Sequence, residues 1–492
     1  MPNTGQTLMK IYQMLLLSSL VLGSQAFAVQ PDFALHAAPA APAKPDPVIV
    51  RALRSIQPSR IQETIDTLVR FGTRSTLSSM ETDMPPGQGI NAAADWIAGQ
   101  FEEISRQCGG CLEVHRDTFV ADAASGASWG KRIPRPTRIT NIYAIQRGTD
   151  PVQARRMYLV TGHYDSRNTN ILDGRGAAPG ANDDASGVAV SLECARALSK
   201  MKFPATLVYV AVAGEEQGLV GSAHLAHLAR EQGWQLQAVL NNDIVGGNTT
   251  PGDTLQIKDR VRVFSEGIPA AATPAEIRKI RELGLENDSP SREVARTVAD
   301  TARTYFPARE AAAFRAFLVF RPDRYWRGGD QMSFNEEGFP AVRLTEWRED
   351  YNHQHQNVVI PPRGSKQPIR GDLPQFVDFN YVAKVARLNA ATLATLASSP
   401  GEPQKVAFVI RNQTLDDNTT LTWNSPRGAG NNVHYEVVWR ETTAPDWQFM
   451  KTVNPQAPGE TVTVTLPISM DNVIFGVRSV DETGHRSLVV TP

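Results

Sequence analysis

The sequence has little of three things: cysteine, excess charge of either sign, and long apolar runs. Its 492 residues contain 50 Lys and Arg against 51 Asp and Glu, which leaves a net charge of −1. Because no excess of positive charge is present, nucleic acid is not expected as a partner. Beyond the N-terminus, no segment is apolar over the roughly 20 residues that a membrane-spanning helix requires. The composition, 41% hydrophobic and 21% charged, indicates a globular protein with one large domain and one or two smaller units.

The N-terminus carries the pattern of a secretory signal peptide. Lys10 precedes an apolar run from Met14 to Leu22, and small residues follow up to Ala28. A charged start, a short apolar segment and an A-x-A site predict removal of residues 1–28. A membrane anchor is the alternative, but the apolar run is too short to span a bilayer. We therefore expect a secreted or periplasmic protein.

The three cysteines fit an oxidising compartment. Cys108 and Cys111 enclose two glycines and are expected to form a small disulfide. A zinc or redox C-x-x-C motif is the alternative, but no second pair of cysteines completes a zinc site. Cys194 lies in an apolar helical pattern and is expected to be a buried thiol without chemistry.

The chain divides into segments of different composition. Residues 29–46 are rich in Ala and Pro, which predicts a flexible leader. Residues 47–397 alternate between strand and helix patterns, which indicates an α/β domain with a three-layer, mostly parallel sheet. Residues 250–325 interrupt this alternation, and a helical insertion over one edge of the sheet is expected there. Residues 398–403 have the composition of a linker. The predicted strands of the sheet are 141–145, 157–161, 205–213, 236–244 and 338–344.

Residues 404–492 contain short alternating strands without helices, which indicates a small all-β sandwich. The segment resembles a fibronectin type III module, with Trp423 on an early strand, Trp439 on the next and Phe475 on a late one. We expect its Trp and Tyr side chains in the core of the module. The linker and the change of pattern predict an independent unit that binds a surface or a protein.

Acidic and imidazole side chains occur in four separate clusters at the ends of predicted strands. Singly, each cluster has a plain explanation, because Asp and Asn cap helices and Glu is common in a first helical turn. Together they follow strands of one sheet, whose carboxyl ends converge on a single crevice. The clusters are Thr161–Ser166 with His163 and Asp165, Pro179–Gly187 with Asp183, Ala213–Gly218 with Glu215 and Glu216, and Asn241–Ile244 with Asp243.

The side chains of these clusters are ligands that zinc accepts. Imidazole nitrogen and carboxylate oxygen both bind Zn²⁺, and a further histidine is available within residues 350–355. Three carboxylates and one hydroxide balance the charge of two zinc ions, which limits the cost of burying them. Two metal ions can also hold a hydroxide nucleophile and a substrate carbonyl together.

In combination, the clusters resemble the two-zinc peptidases of metallopeptidase family 28. That superfamily includes bacterial leucyl aminopeptidases, glutamate carboxypeptidases and glutaminyl cyclases. The motifs H-x-D, P-G-A-[DN]-D-D-A-S-G, G-E-E-x-G-x-x-G-S and N-x-D occur in order, and the resemblance covers residues 60–400 apart from the insertion. Asn182 stands where the family usually has Asp before the bridging Asp.

The resemblance implies a role for each residue. Glu215 would be the general base that moves a proton from water to the leaving amine. Asp165 would hold the outer nitrogen of His163, and the hydroxyl of Tyr325 would polarise the carbonyl. The peptide bond after the bridging Asp would be cis. The implied zinc ligands are Asp183 on both ions, His163 and Asp243 on one ion, and Glu216 and His353 on the other.

The last histidine ligand has two candidates. The family motif has His followed four residues later by Asp, and His353 fits it with Asn357 in place of Asp (357 − 353 = 4). His355 is the competitor. His224 and His227 lie three apart on a predicted helix, but the motif has already used its ligands, so surface or packing roles are expected for both.

The resemblance implies a secreted zinc aminopeptidase that hydrolyses N-terminal peptide bonds with two zinc ions and a bridging hydroxide. Its expected partners are peptides with free N-termini. A carboxypeptidase is an alternative, because Arg321, Arg324 and Arg327 could bind a substrate carboxylate. A glutaminyl cyclase is another, although those cyclases use one zinc and the ligand set here is complete. A catalytically silent binding protein would have lost ligands or the base.

Overall fold

The computed structural model describes residues 31–35, 37–122, 132–308, 313–410, 417–428, 432–454 and 460–492. The predicted signal peptide lies outside the described residues. Within the described ranges, no helix has the length and apolar character needed to cross a membrane. A disulfide joins Cys108 to Cys111, and Cys194 is a buried free thiol, so both predictions for the cysteines are confirmed.

Helices and strands alternate through most of the chain, and strands alone follow. The helices are α1 (Asp32–Leu35), α2 (Pro47–Arg54), α3 (Pro58–Arg70), α4 (Gly89–Gln107), α5 (Ala185–Leu198), α6 (Val220–Glu231), α7 (Pro274–Glu282), α8 (Pro290–Tyr305), α9 (Gln331–Glu336) and α10 (Phe379–Ser398). The strands are β1 (Ala38–Pro39), β2 (Glu113–Ala121), β3 (Thr137–Gln146), β4 (Arg156–His163), β5 (Thr206–Val212), β6 (Gln235–Asn242), β7 (Arg260–Ser265), β8 (Arg315–Val319), β9 (Ala341–Thr345), β10 (Gln404–Phe408), β11 (Thr419–Asn424), β12 (His434–Glu441), β13 (Phe449–Val453), β14 (Thr461–Leu466) and β15 (Val473–Val480).

Eight strands form one large mixed sheet in the order β2-β3-β5-β4-β6-β9-β7-β8. The central strands β5, β4, β6 and β9 run parallel. Towards the edges, β3 is antiparallel to both β2 and β5, and β7 is antiparallel to β9. Strands β7 and β8 at the other edge are again parallel, so parallel pairing holds at the centre and at one edge, and the sheet as a whole is mixed. An antiparallel edge can expose one face to water, and the charged sequence of β2 hid that strand from pattern analysis.

Helices cover both faces of this sheet. Alternate side chains of a strand point to opposite faces, and along β4 Tyr158 and Val160 belong to one hydrophobic cluster whereas Met157 and Leu159 belong to another. Side chains of α3, α4, α5, α8 and α10 pack into the first cluster, and those of α6 and α9 into the second. The continuous apolar run of β4 is thus explained, because every one of its residues is buried.

The segment 250–325 is part of the sheet and not only a helical insertion. It contains α7 and α8, as expected, but β7 and β8 pair with each other and extend the sheet beyond β9. The prediction was incomplete because β7 alternates arginine with valine, which gives it the charged composition of a surface helix. Its valines are buried and its arginines are half-buried.

Strands β10 to β15 form two antiparallel sheets at the end of the chain. One contains β10, β11 and β14, and the other contains β13, β12 and β15 with β1 at its edge. Trp423 and Tyr435, from the two different sheets, are buried in the same hydrophobic cluster as Trp439 and Phe475. The prediction that these aromatic side chains form a core is confirmed. The likeness to a fibronectin type III module stays a prediction.

The described part of the leader packs on the C-terminal sheets, so the expectation of a flexible segment is wrong for it. Ala38 and Pro39 pair antiparallel with β13. The indole of Trp439 donates a 2.9 Å hydrogen bond to the carbonyl oxygen of Phe33, whose ring packs against the C-terminal cluster. Proline is tolerated on an edge strand, which is the position that β1 occupies.

Buried charged side chains join the C-terminal sheets to the start of α8. The Asp288 carboxylate accepts hydrogen bonds from Arg296 at 3.0 Å and from Arg440 at 2.5 Å, and all three side chains are at most 2% exposed. The indole of Trp447 donates to Glu293 at 3.0 Å nearby. These partners come from both parts of the chain, which argues against the expected independence of the C-terminal segment.

Candidate metal centre

The carboxyl ends of two parallel strands and the start of a helix bring three predicted residues together. His163 ends β4, Asp243 follows β6 and Asp183 precedes α5. The Nε2 atom of His163 lies 3.1 Å from Oδ1 of Asp183 and 3.8 Å from Oδ1 of Asp243. All three residues are buried, and their ligand atoms lie within 4.8 Å of one another. They form a first group that could hold a metal ion.

A second group shares Asp183 with the first. Its other members are Glu216, after β5, and His355. The Nε2 atom of His355 lies 2.8 Å from Oδ2 of Asp183 and 2.9 Å from Oε1 of Glu216. Asp183 therefore presents one oxygen to each group, which is the arrangement expected of a bridging carboxylate.

The structure corrects the choice between the two candidate histidines, because His355 and not His353 joins the second group. The ring of His353 stacks on Phe376 with ring centroids 3.6 Å apart, and its Nδ1 faces the hydroxyl of Thr250 at 3.5 Å. At His355 the backbone φ is +57°, a left-handed conformation that few non-glycine residues adopt. Motif spacing does not reveal a backbone turn of this kind.

Both groups have the properties of metal ligands. Buried polar atoms normally have a hydrogen-bond partner, yet among the described residues Nε2 of His163 and Oε1 of Glu216 have none of acceptable geometry. Each of these atoms lies about 3 Å from another ligand atom of its own group, as ligands do when they point at a common centre. Three carboxylates and two imidazoles are a donor set that zinc accepts, so the residues present fit two zinc ions.

Asp165 connects the first group to the turn that carries Glu215 and Glu216. Its backbone carbonyl faces Nδ1 of His163 at 3.1 Å, and its carboxylate lies 3.4 Å from the same nitrogen. The carboxylate also accepts hydrogen bonds from the backbone N–H groups of Glu215 at 3.3 Å and Glu216 at 3.1 Å. The expected contact with His163 is present, and a second contact fixes the turn after β5.

Glu215 lines the same cleft as the two groups and belongs to neither of them. Burial raises the pKa of its carboxyl well above the usual value; His163 opposes this rise, and the charges of Glu216 and Asp243 add to it. A carboxylate with raised proton affinity is suited to accept a proton and then donate it.

Two residues that the sequence patterns did not single out hold Asp183 in place. The carboxylate of Asp372 accepts hydrogen bonds from the backbone N–H groups of Asn182 at 2.8 Å and Asp183 at 2.7 Å. The side-chain amide of Gln354 donates to Oδ2 of Asp183 at 2.9 Å. The Asp183–Asp184 peptide bond is cis, as the resemblance implied. Asp372 escaped notice because it acts through backbone groups at a sequence distance of 190.

Asn182, which departs from the family pattern, has a hydrogen-bond partner for both groups of its side-chain amide. Its amide group donates to Oε2 of Glu346 at 3.1 Å, and its amide oxygen accepts from the backbone N–H of Gly246 at 2.6 Å. Glu346 is fully buried, and burial raises its pKa to about 8. An ionised aspartate in place of Asn182 would offer no donor to Oε2 of Glu346, so the amide supplies a contact that the usual residue would not.

Four of the five residues of the two groups, Asp183, Glu216, Asp243 and His355, line a cleft of about 490 Å³, which the exposed rings of Trp326 and Tyr351 also line. Tyr325 was expected to polarise the substrate carbonyl. Its side chain is 71% exposed, packs edge-on against Trp326 and is not among the residues that line the cleft. The geometry therefore does not support a catalytic role for Tyr325.

Two of the three arginines considered as carboxylate binders line the cleft but already have partners. Arg324 and Arg327 contact Oε2 of Glu349 at 2.8 Å and 2.7 Å. Arg321 lies outside the lining of the cleft, over the ring of Tyr325. Another arginine, Arg167, lines the cleft beside Glu216 and is not indicated by the sequence patterns.

Known proteins resemble the chain over most of its length. Residues 141–359 match the model of Peptidase family M28. A probable zinc metalloprotease of Pyricularia oryzae is 43% identical over 456 residues, which cover 91% of this chain and 85% of that protein. A probable zinc metalloprotease of Leptosphaeria maculans is 40% identical over 452 residues, which cover 91% of this chain and 97% of that protein. The crystal structure of the Legionella pneumophila LapA aminopeptidase aligns with a TM-score of 0.45 at 19% identity, over 71% of this chain and 74% of that one.

The sequence relatives and the ligand groups define the class of the protein, which is that of the zinc metalloproteases. Within that class, the chain belongs to peptidase family M28. Family membership makes peptides the expected substrates. The weak structural likeness to LapA adds nothing about activity.

Proposed function

We propose that the protein is a two-zinc aminopeptidase that removes single residues from the free N-terminus of peptides. The observation that carries the proposal is the sharing of Asp183 between two ligand groups, with Glu215 beside them in the same cleft and in neither group. That combination provides sites for two metal ions and an unligated base in one place.

Each side chain has a defined task in this proposal. Asp183 contributes to both metal sites; His163 and Asp243 complete one, and Glu216 and His355 complete the other. When bound, the zinc ions supply a water nucleophile at neutral pH and a Lewis acid for the carbonyl.

Proton transfer and its alignment depend on residues that bind no metal. Glu215 takes a proton from the attacking water and passes it to the leaving amine. Asp165 fixes the position of His163 relative to the Glu215–Glu216 turn through its contacts with both.

Carboxylate oxygens in the cleft favour a free amine as the end that is recognised. Carboxylates of Asp183, Glu215 and Asp243 line it, and an N-terminal ammonium or amine finds oxygen acceptors among them. An acetylated terminus leaves such acceptors without a donor, which costs about 1–3 kcal/mol. A carboxypeptidase is less well supported by the 321–327 segment, since Arg324 and Arg327 are paired with Glu349.

We also propose that the protein is exported and works outside the reducing cytosol. The Cys108–Cys111 disulfide supports this, because such bonds persist in oxidising compartments. Attachment of the C-terminal sheets to a surface or a protein stays a prediction.

The proposal is tested with aminoacyl-nitroanilides, measured before and after a chelator and after zinc is restored. We expect hydrolysis of Leu-nitroanilide, its loss on chelation and its recovery with zinc, and no hydrolysis of acetyl-Leu-nitroanilide. Metal analysis should find two zinc ions per chain. Cyclisation of N-terminal glutamine without peptide hydrolysis would indicate a glutaminyl cyclase, and a protein without zinc and without activity would indicate a binding protein.

A further inference from the structure

One wall of the cleft, next to Glu216, is cationic. Arg132 and Arg167 both line it. The Nε atom of Arg167 lies 3.6 Å from Oε2 of Glu216, and Arg132 donates a 3.1 Å hydrogen bond to the backbone carbonyl of Glu216. The net charge of the chain is only −1, so this local pair of positive charges is not a consequence of overall composition.

The backbone that carries Arg167 is fixed on both sides. The hydroxyl of Ser166 donates to the carbonyl of Ala178 at 2.7 Å, and the amide of Asn168 donates to Asp173 at 2.8 Å. Arg167 therefore enters the cleft from an anchored loop directly after the His163 cluster. A preorganised cation of this kind loses little conformational freedom when it binds an anion.

Arg167 has an unsatisfied donor. Its side chain is 19% exposed, and within the described ranges its buried Nε atom has no hydrogen-bond partner. The 3.6 Å separation from Glu216 exceeds hydrogen-bond length, and Glu216 is engaged as a proposed zinc ligand. Arg324 and Arg327, in the same cleft, differ because both contact Glu349.

The neighbouring Arg132 supports the same interpretation. Arg132 lines the same cleft and donates its hydrogen bond to the backbone carbonyl of Glu216, the residue whose carboxylate lies 3.6 Å from Arg167. A second guanidinium group on the same wall strengthens the attraction of that wall for an anionic group of a substrate. The guanidinium group presents a planar pair of donors that matches a carboxylate.

We propose that Arg167, assisted by Arg132, binds a carboxylate of the residue that follows the scissile bond. The inference rests on the proposed function, which places the free amine on the residue before that bond. The carboxylate has two possible sources: the terminal carboxylate of a dipeptide, or the side chain of Asp or Glu in a longer peptide. The protein is then an aminopeptidase selective for dipeptides or for peptides with an acidic second residue.

Four peptides separate these sources: Leu-Leu, Leu-Leu-amide, Leu-Glu-amide and Leu-Gln-amide. The wild-type protein should show a higher kcat/KM for a carboxylate-bearing member than for its neutral counterpart. Arg167→Gln should reduce kcat/KM on that member by roughly 10–100-fold and on the neutral peptides by less than about 3-fold, as expected for loss of a charge-assisted contact. If kcat/KM is higher for Leu-Leu than for Leu-Leu-amide only, the terminal carboxylate is the group bound. If kcat/KM is higher for Leu-Glu-amide than for Leu-Gln-amide only, the acidic side chain is the group bound.

Arg321→Gln is the matched control, because Arg321 is a candidate carboxylate binder from the sequence and does not line the cleft. It should leave the whole series unchanged. An equal loss on all four peptides, together with loss of zinc from Arg167→Gln, would make Arg167 a positioning residue for Glu216 and overturn the inference.

The inference and the proposed function fail in different ways. Absence of any preference in a protein that cleaves Leu-nitroanilide overturns the carboxylate site and leaves the aminopeptidase intact. Cleavage of acetyl-Leu-Leu that depends on Arg167, at a rate comparable with Leu-Leu, overturns the aminopeptidase assignment and indicates a carboxypeptidase.

Discussion

The carboxylate of Asp165 accepts a hydrogen bond from the backbone N–H of Glu216 at 3.1 Å. Asp165 also contacts Nδ1 of His163. One buried side chain therefore ties a ligand of the first group to a ligand of the second. The relative position of the two proposed metal ions depends on this link as well as on the shared Asp183.

Replacement of Asp165 should disturb both groups at once. Asp165→Ala removes the acceptor for two backbone N–H groups, and we expect zinc affinity and kcat to fall by about 10–100-fold, as for other partners of metal ligands. Asp165→Asn keeps an oxygen acceptor and should lose less. Zinc titration and Leu-nitroanilide hydrolysis measure the two effects, and unchanged zinc affinity in the alanine variant would refute the link.

Glu215 and Glu216 are adjacent and should behave differently. Glu215→Gln should keep both zinc ions and lose roughly 10²–10⁴-fold in kcat, because a general base is removed and no ligand is. Glu216→Gln should lose zinc as well as activity. Metal content and kcat are measured on the same preparations. If the Glu215 variant retained more than a tenth of the wild-type kcat, its role as base would be wrong.

The two neighbouring histidines provide another matched pair. His355→Ala should bind one zinc ion fewer than the wild type, since Nε2 of His355 faces both Asp183 and Glu216. His353→Ala should keep two, because its ring stacks on Phe376 away from the ligand atoms. Zinc analysis after dialysis decides between them. Loss of zinc in the His353 variant alone would restore the assignment made from motif spacing.

The sequence predicts the grouping of ligand residues correctly where each residue lies at the end of a strand or the start of a helix. His163, Asp183, Glu216 and Asp243 each follow a strand or precede a helix, so parallel-strand geometry was enough to bring them together. For the final histidine, motif spacing favours His353 whereas the structure places His355 in the second group, because a left-handed backbone conformation at His355 leaves no trace in residue spacing.

Sequence patterns do not reveal contacts between segments that are distant in the chain. Asp372 reaches Asp183 through a backbone N–H, and Arg167 matters through the donor it leaves unsatisfied. Strand β7, which lies between β9 and the edge strand β8, does not show in the sequence pattern because only one of its faces is apolar. The composition of the leader predicts a flexible segment, because its partners are distant in the chain. The leader packs on the edge of a C-terminal sheet, and Trp439 donates a hydrogen bond to Phe33 at a sequence separation of 406.

Glu346 should make the protein less stable as the pH rises. Burial raises its pKa from 4.5 to about 8, so the folded state holds the proton more tightly than the unfolded state. The stabilising contribution is complete below pH 4.5 and is lost as the pH rises to about 8.

Glu346→Gln keeps an oxygen for the backbone N–H of Gly247 and cannot ionise. Its free energy of unfolding should fall less between pH 5 and pH 8 than that of the wild type, by an amount on the order of a few kcal/mol. Urea unfolding at several pH values measures the difference. Parallel pH profiles for the two proteins would show that Glu346 is ionised in both states.

The buried contacts of Asp288 predict that the C-terminal sheets and the rest of the chain unfold together. Asp288→Ala leaves Arg440 buried without its carboxylate partner, which should cost about 3–5 kcal/mol. Asp95→Ala breaks an exposed ion pair with Arg116 and should cost at most about 1 kcal/mol.

By the same reasoning, a chain ending at Ser399 should be unstable, contrary to the expectation of an independent module. Denaturant unfolding followed by tryptophan fluorescence and by loss of activity should give one coincident transition; two separate transitions, or a stable and active chain ending at Ser399, would show that the module is independent after all.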